Sequence, residues 1–599
     1  MLKNKPIQFL NLSYIQSGQN YIYYHVNSPQ PQVVAKINDT LYFSLDEAVD
    51  AAQIGDVIDL LTDVNLEGKH SKEWVTIDAN GHKVTATSHK YQGKLVLPFG
   101  SELTLAGKEF VGSSDGFKLQ MNAGATATLD FDANKLTLNG SALVPTGQTL
   151  VLDPRWFEHA EIANGATLDV AGTLKLASGD TIGLDAVING NLNIQENGGF
   201  VLAHHATLVA NSGASIDMQA FDRENLKGLI TVKEGATLKG KLKFGDKLIA
   251  KTVVGPEGSD AAIALKAGEI ELNFRNRSLM TLKSGGRATV QKGQQLSLLP
   301  ELVEEFVTQI DSMLTVEGRL RLASGKVVDA NGLVGTKAMI RGGFVVAKDG
   351  KFEMGEHSEM VSNGNVTLRE ENFAALHGTI IVDGGSFDVV RTGGESVKLI
   401  GISELDTIQL GEKGRVKLDS TAHETDHTVA TLYGGVTIPE NQKLTVHPTF
   451  LDLVVVADQA MLQVKGQLRL ANDTELDVQG DMLVGGSLDV RSKAKVSSTK
   501  PIQLLETGKA YVHDSKTATA NPVAGTTIQL ADGAELYAKM VLHDTTIVGG
   551  EHSDVNVNYD GIVFEHLWKK QRIAYTVSLN VNEGEALAVT ELKTDHSGK

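Results

Sequence analysis

The 599-residue chain has no cysteine, only 12 prolines and 3 tryptophans, and aromatic residues make up just 5% of it. Without cysteine there can be no disulfide scaffold, Cys-ligated zinc or cysteine nucleophile, and the chain suits either redox compartment. So few aromatic rings leave little on which sugars could stack, which counts against a polysaccharide-cleaving spike. No apolar run approaches the roughly 18 residues that a membrane-spanning helix needs. Cations are also in deficit: 55 Lys and Arg against 73 Asp and Glu give a net charge of -18. That charge repels phosphate backbones and anionic lipid, and no linear basic patch offsets it. The start, MLKNKPIQFLNLSY, has neither an uninterrupted apolar stretch nor a small-residue cleavage site, so it does not read as a secretion signal.

What the chain does have is glycine, 61 residues of it, within a composition that is 41% hydrophobic and 21% charged. From about residue 75 onward, short stretches alternate apolar and polar residues and are punctuated by Gly, Asn-Gly or Asp-Gly, the period-2 pattern of half-buried strands joined by tight turns. In GATLDVAGTLKLASG the pattern turns Leu168, Val170, Leu174 and Leu176 inward and Thr167, Asp169, Thr173 and Lys175 outward. Gly165 and Gly172 are expected at turns that need no Cβ. Strand following strand with almost no helix argues against Rossmann and TIM-barrel architectures and predicts an all-β solenoid, sandwich or barrel.

A longer period is superimposed. Segments beginning at Gly147, Gly293 and Asn441, which are 146 and 148 residues apart, match in register over about 33 residues. Each has a proline (Pro154, Pro300, Pro448) and an internal glycine (Gly172, Gly318, Gly466) at the same offset. This predicts three internal repeats of about 147 residues, with each proline opening a short helix or an extended crossover. The resulting division is an attachment arm or edge strand over 1–32, a capping helix and first coil over 33–87, a lead-in over 88–146, and repeats over 147–292, 293–440 and 441–599. The arm contains Tyr14, Tyr21, Tyr23 and Tyr24.

Near the start, Ser44 and Glu47 form a capping box. Leu45, Ala48, Val49 and Ala52 make one apolar face before Gly55, which is expected to end the helix. The string AKINDTLYFSLDEAVDAAQIGDVIDLLTDVNL followed by VTIDANGHKVTA resembles the opening of pectin-lyase-like right-handed β-helices of bacterial and phage surface proteins. The resemblance covers about residues 33–87 and implies an all-β, right-handed parallel β-helix or β-solenoid whose open end is plugged by the helix. Physically, such a plug protects exposed strand edges and an open core.

One string matches the H-E-x-x-H zinc-hydrolase pattern, His423-Glu424-Thr425-Asp426-His427. Zinc chemistry also requires a helix beneath the two histidines and a third ligand downstream. The flanks VKLDSTA and TVATLYGGVTI are instead β-like, and the nearest downstream acid is Glu440, so the string reads as a polar surface loop. His204-His205 would place one imidazole on each strand face, one of them buried and hydrogen-bonded. Carboxylates such as Asp153, Glu158 and Glu161 near Trp156 could flank a sugar as glycosidase pairs do, but the other repeats do not reproduce them beside an indole, so they read as surface charge beside a packed Trp. The sequence predicts no catalytic, cofactor-binding or metal residues. The expected function is a non-enzymatic virion structural protein, a tail-fibre or tailspike-type rod serving particle architecture or host attachment. The alternatives are a secreted adhesin or self-assembling filament subunit, and a depolymerase on a β-helix. Expected partners are further copies of the chain, other virion or surface proteins and a cell-surface glycan, with no nucleic acid and no membrane insertion. The expected location is the virion, after assembly in host cytoplasm, or alternatively the cell surface.

Overall fold

The computed structural model describes residues 32–512 except 67–71, 87–91, 106–107, 113–118, 245–246, 249, 330–331, 391–395, 401–406, 420–428, 449–450, 492–493, 501 and 506. Outside that span it describes strand backbone only, within 12–25 and 527–589. The fold is an all-β solenoid of about 17 turns with very little helix. The chain divides into two compact units, Met1–Thr281 and Leu282–Lys599.

Within the first unit the alternating pattern produces stacked coils. Thr167–Val170 pairs in parallel with Asn191–Ile194, which pairs in turn with Ser215–Asp222, so Leu168, Leu192 and Ile216 lie in one ladder. Thr149–Leu152, Thr173–Leu176 and Gly199–Leu202 form a second face, with Leu150, Leu174 and Phe200 in register. His159–Ile162, Asp185–Ile188 and Thr207–Ala210 form a third. The inward residues Leu168, Val170, Leu174 and Leu176 are all at most 5% exposed. Burial of each contributes about 1.5–3 kcal/mol, which makes the interior ladder the principal stabilising feature. The second unit is built the same way and places Phe344 against Phe352 edge to face, with ring centroids 5.1 Å apart.

Strand positions recur at the longer period. Strands at Thr149–Leu152, His159–Ile162, Thr167–Val170 and Thr173–Leu176 correspond to Gln295–Leu298, Glu305–Thr308, Met313–Val316 and Arg319–Leu322, and to Lys443–Val446, Leu453–Val456, Met461–Val464 and Gln467–Leu470. The prolines start neither a helix nor a long crossover. Pro154 lies in a turn where Trp156 N and Phe157 N both donate to Asp153 O, and Pro300 in one where Leu302 N and Val303 N both donate to Leu299 O; near Pro448, Leu451 N donates to His447 O.

The stack is not parallel throughout, as uniform strand phrasing led us to expect. Thr126–Asp130 runs antiparallel to both of its neighbours, as does Arg415–Asp419, and Glu269–Asn273 runs antiparallel to Leu229–Lys233. Tight reversals of this kind need a residue that tolerates left-handed backbone. Asn134, at φ 48°, supplies it between Thr126–Asp130 and Lys135–Asn139.

The N-terminal helix α1, Leu45–Ala51, buries Leu45, Ala48 and Val49. Ser44 Oγ accepts from Glu47 N at 3.2 Å, and Glu47 Oε2 in return accepts from Phe43 N at 3.3 Å. Gly55 does not end this helix. Ala52 already turns extended at ψ 142°, and Gly55 at φ +97° forms the later turn into Val57–Leu60. No basic residue occupies the last turn of α1. Lys72 supplies the charge from elsewhere, its Nζ donating to Val49 O at 2.8 Å while lying 5.2 Å from the Trp74 ring centroid. In the 1–32 region, Leu12–Ser17 and Asn20–His25 pair antiparallel, with Tyr14 opposite Tyr23. Among the described residues no helix is long and apolar enough to cross a membrane.

Candidate functional site

The residues singled out in the sequence do not converge. His423–His427 lies outside the described residues; the strands before and after it, Arg415–Asp419 and Val429–Tyr433, pair antiparallel with Asp419 opposite Val429. His204 and His205 are not on a strand, contrary to expectation. They occupy the turn between Gly199–Leu202 and Thr207–Ala210, His204 exposed and His205 half-buried, with their rings edge to face at 4.5 Å. The period-2 reading placed them on a strand because it carried the alternation through a turn that has no glycine to mark it.

Two of the three carboxylates near Trp156 are held by structural partners, and the third, Glu158, is half-buried. Asp153 is buried and accepts from Arg155 Nε at 2.9 Å and Arg155 Nη2 at 2.7 Å. That hydrogen bond, with the carboxylate charge, holds the Arg155 guanidinium above its ordinary pKa. Glu161 is held by Lys135 and by Asn189 Nδ2, the latter at 2.6 Å. Neither acid is free to act as half of a glycosidase pair.

One outer column, Lys135, His159, Asp185 and Thr207, is composed of residue types used in hydrolysis. Their order is wrong for it. Thr207 Oγ1 donates to Asp185 Oδ1 at 2.5 Å, and His159 Nδ1 lies 3.7 Å from Asp185 Oδ2. The carboxylate stands between hydroxyl and imidazole, so the imidazole cannot take the hydroxyl proton as nucleophilic catalysis requires. Among the described residues no group of three or more His, Asp or Glu side chains could hold a metal ion.

The structure does assemble one polar groove, of about 390 Å3, in the second unit. Its base is the parallel sheet of Lys443–Val446, Gln467–Leu470, Ser487–Val490 and Lys509–Val512. Alternation sends Lys443, Gln467, Ser487 and Lys509 outward in one column, and Thr445, Arg469, Asp489 and Tyr511 outward in the next. The corner beside the first column is hollow because backbone packs directly on backbone there. A Cβ on Gly466 would lie 2.2 Å from the Pro439 and Gln442 carbonyl oxygens, and one on Gly486 would lie 2.0 Å from Gly466 O. Gln442 and Thr507 complete the polar wall, Thr507 Oγ1 donating to Gly485 O at 2.6 Å.

Beside the groove, Asp489 is buried and paired with Arg469 Nε at 3.5 Å and Arg491 Nη2 at 3.1 Å. The same sheet continues from Lys509–Val512 to Glu535–Ala538, which puts Glu535 in register with Lys509. The corresponding columns elsewhere differ in chemistry: Thr149, Thr173 and Gly199 in one, and Gln295, Arg319 and Lys351 in the other. Sequence reasoning missed the groove because its four column residues are 24, 20 and 22 positions apart in the chain. The available signal was that Gln467, Ser487 and Lys509 each follow a glycine, Gly466, Gly486 and Gly508.

Comparison with known protein families finds no family that matches the chain, and comparison with curated proteins finds no matching relative.

Proposed function

We propose that the chain is a non-enzymatic architectural protein, a β-helical component of a virion appendage of tail-fibre type that serves particle structure or attachment to a host surface. In this reading the solenoid winds right-handed, α1 covers the core of the first coil, and the body arose from a triplicated block of about 147 residues.

The observation that carries the reading is the use made of the outer polar side chains, which join one coil to the next. Asn191 Nδ2 donates to Thr167 Oγ1, Asn193 Nδ2 to Asp169 Oδ1, and Asn211 Nδ2 to Asn189 Oδ1. Lys337 pairs with Glu359 at 2.8 Å, and Lys239 with Asp217 at 3.4 Å. Each exposed pair is worth little, but a row of them ties successive coils through their side chains as well as their ladders. Polar groups committed to their neighbours serve rigidity, the property an appendage requires.

Immunogold labelling of particles and cell surfaces from the native source tests the proposal. The expected result is label on a particle appendage. Label on the cell surface with particles unlabelled would instead identify an adhesin or filament, and protein free of both would overturn the architectural reading.

A further inference from the structure

We propose that Asn164 is a covalent modification site of the folded chain: attack by the following amide nitrogen expels its side-chain nitrogen as ammonia and leaves aspartate or isoaspartate at one corner of the solenoid. The inference is independent of the attachment reading and rests on how one dipeptide is hydrogen-bonded in different coils.

Asn-Gly is the dipeptide most open to this reaction, because glycine has no side chain to hinder the approach of its nitrogen to the asparagine Cγ. Among the described residues it occurs six times, beginning at Asn80, Asn139, Asn164, Asn189, Asn197 and Asn363. The reaction needs a free nucleophile, and four of these glycine amides are already committed as donors. Gly81 N donates to Ser101 Oγ at 3.0 Å, Gly190 N to Ile162 O at 3.2 Å, Gly198 N to Gln195 O at 2.9 Å and Gly364 N to Ile340 O at 3.0 Å. Two of the asparagine side chains are tied as well. Asn80 Nδ2 donates to Leu60 O at 3.0 Å, and Asn189 both donates to Glu161 Oε1 at 2.6 Å and accepts from Asn211 Nδ2 at 2.7 Å.

Asn139 and Asn164 remain. Asn139 ends the strand Lys135–Asn139, where it is paired opposite Thr126, and Gly140 is packed so closely that a Cβ there would lie 2.9 Å from Ala125 Cα. Asn164 is exposed and belongs to no strand, Gly165 has open space where a Cβ would point, and among the described residues nothing accepts from Gly165 N. Asn189 gives the sharpest comparison. Because Asn191–Ile194 stacks in register on Thr167–Val170, the Asn164 and Asn189 dipeptides occupy the same corner of successive coils.

The steps balance with water as the only co-reactant. Gly165 N gives its proton to solvent and bonds to Asn164 Cγ, and the Cγ–Nδ2 bond breaks, so that ammonia leaves and a succinimide closes. Water then opens the ring, giving aspartate by attack at Cγ and isoaspartate by attack at the main-chain carbonyl carbon. Either product adds a negative charge. Isoaspartate also adds a methylene to the main chain inside the turn that Ala166 N closes on Ala163 O at 3.0 Å.

The test is peptide mapping by mass spectrometry of the full chain aged at mildly alkaline pH, folded and in parallel in urea. In the folded chain Asn164 should deamidate at least tenfold faster than Asn80, Asn189, Asn197 and Asn363, whose held groups must first open locally, and faster than Asn139. In urea the six rates should converge, because the hydrogen bonds that separate them are gone. Asn164→Gln should remove most of the early ammonia release from the folded chain. Any of the four held asparagines reacting as fast as Asn164, Asn139 reacting fastest, the same spread of rates in urea, or undiminished ammonia release from Asn164→Gln would each overturn the proposal.

Discussion

Glycine serves two different purposes in this solenoid, and substitution separates them at Gly165 and Gly172. Gly165 adopts φ +76° with open space where a Cβ would point. Gly172 has no such left-handed backbone, but a Cβ there would lie 2.2 Å from both Gln148 O and Pro145 O on the preceding turn. Gly165→Ala therefore incurs only left-handed backbone strain, about 1–2 kcal/mol. Gly172→Ala forces the corner open by about 1 Å, an overpacking cost of about 1–3 kcal/mol. It also strains the bonds from Gly172 N to Val144 O at 2.9 Å and from Thr173 N to Gln148 O at 2.8 Å. At about 1 kcal/mol for each bond, the total reaches about 3–5 kcal/mol. Asparagine distinguishes the two mechanisms because it tolerates left-handed backbone, as Asn38, Asn80 and Asn441 do here at φ 51°, 47° and 62°. Gly165→Asn should be nearly neutral, whereas Gly172→Asn should be at least as damaging as Gly172→Ala. Hydrogen exchange at the Thr173 amide reads the local cost, and Gly172→Ala should accelerate it roughly a hundredfold or more. A Gly172→Ala variant that exchanges no faster than Gly165→Ala would refute the close-approach argument. The same reasoning covers Gly318 and Gly466, whose added Cβ atoms would lie 2.1 Å and 2.2 Å from the nearest carbonyl oxygen.

Other residues give further expectations. Val49→Asp puts an unpaired carboxylate into a site only 3% exposed, so it should cost about 3 kcal/mol or more and appear in thermal melts as early unfolding or aggregation. Lys72→Met should cost less, about 1–2 kcal/mol, because it removes the charge at the end of α1 together with its hydrogen bond to Val49 O and its contact with the Trp74 ring. Asp349 is held below the ordinary carboxylate range by its hydrogen bond from Lys292 and by that ammonium's charge. Its contribution to stability is thus present at neutral pH and is lost as pH falls through the depressed folded value. Carbon-detected titration should show Asp349 returning to the ordinary range in Lys292→Met. Glu424→Gln should leave stability and attachment unchanged; loss of a zinc-dependent activity in that variant would make the chain an enzyme on a β-scaffold.

The interior of the fold was legible in the sequence because burial imposes strict alternation: Leu168, Val170, Leu174 and Leu176 could face only one way. The reversed strands were not legible, since a strand paired antiparallel has the same period-2 pattern as one paired in parallel, and left-handed asparagines mark both kinds of turn, Asn134 at a reversal and Asn441 at a parallel corner. Nor did Gly172 reveal whether it served a turn or a close approach, because that depends on carbonyls of the preceding coil, 24 residues earlier at Gln148. The groove failed to register for the same reason. Lys443, Gln467, Ser487 and Lys509 come into one column only when coils stack, and a linear search cannot find residues separated by whole turns.

The central claim is that, within the parallel coils, a strand pairs with one a full coil away rather than with the next strand in the chain. Lys175 is in register with Val201, and both point outward, while Val187 on the following strand, Asp185–Ile188, belongs to another face. Because the natural chain has no cysteine, thiol-reactive pyrene can be placed at chosen pairs without interference. The account predicts strong excimer emission from Lys175→Cys/Val201→Cys, where in-register strands are about 4.8 Å apart, and none from Lys175→Cys/Val187→Cys. Excimer from the second pair and not the first would mean a hairpin meander, and would contradict the solenoid.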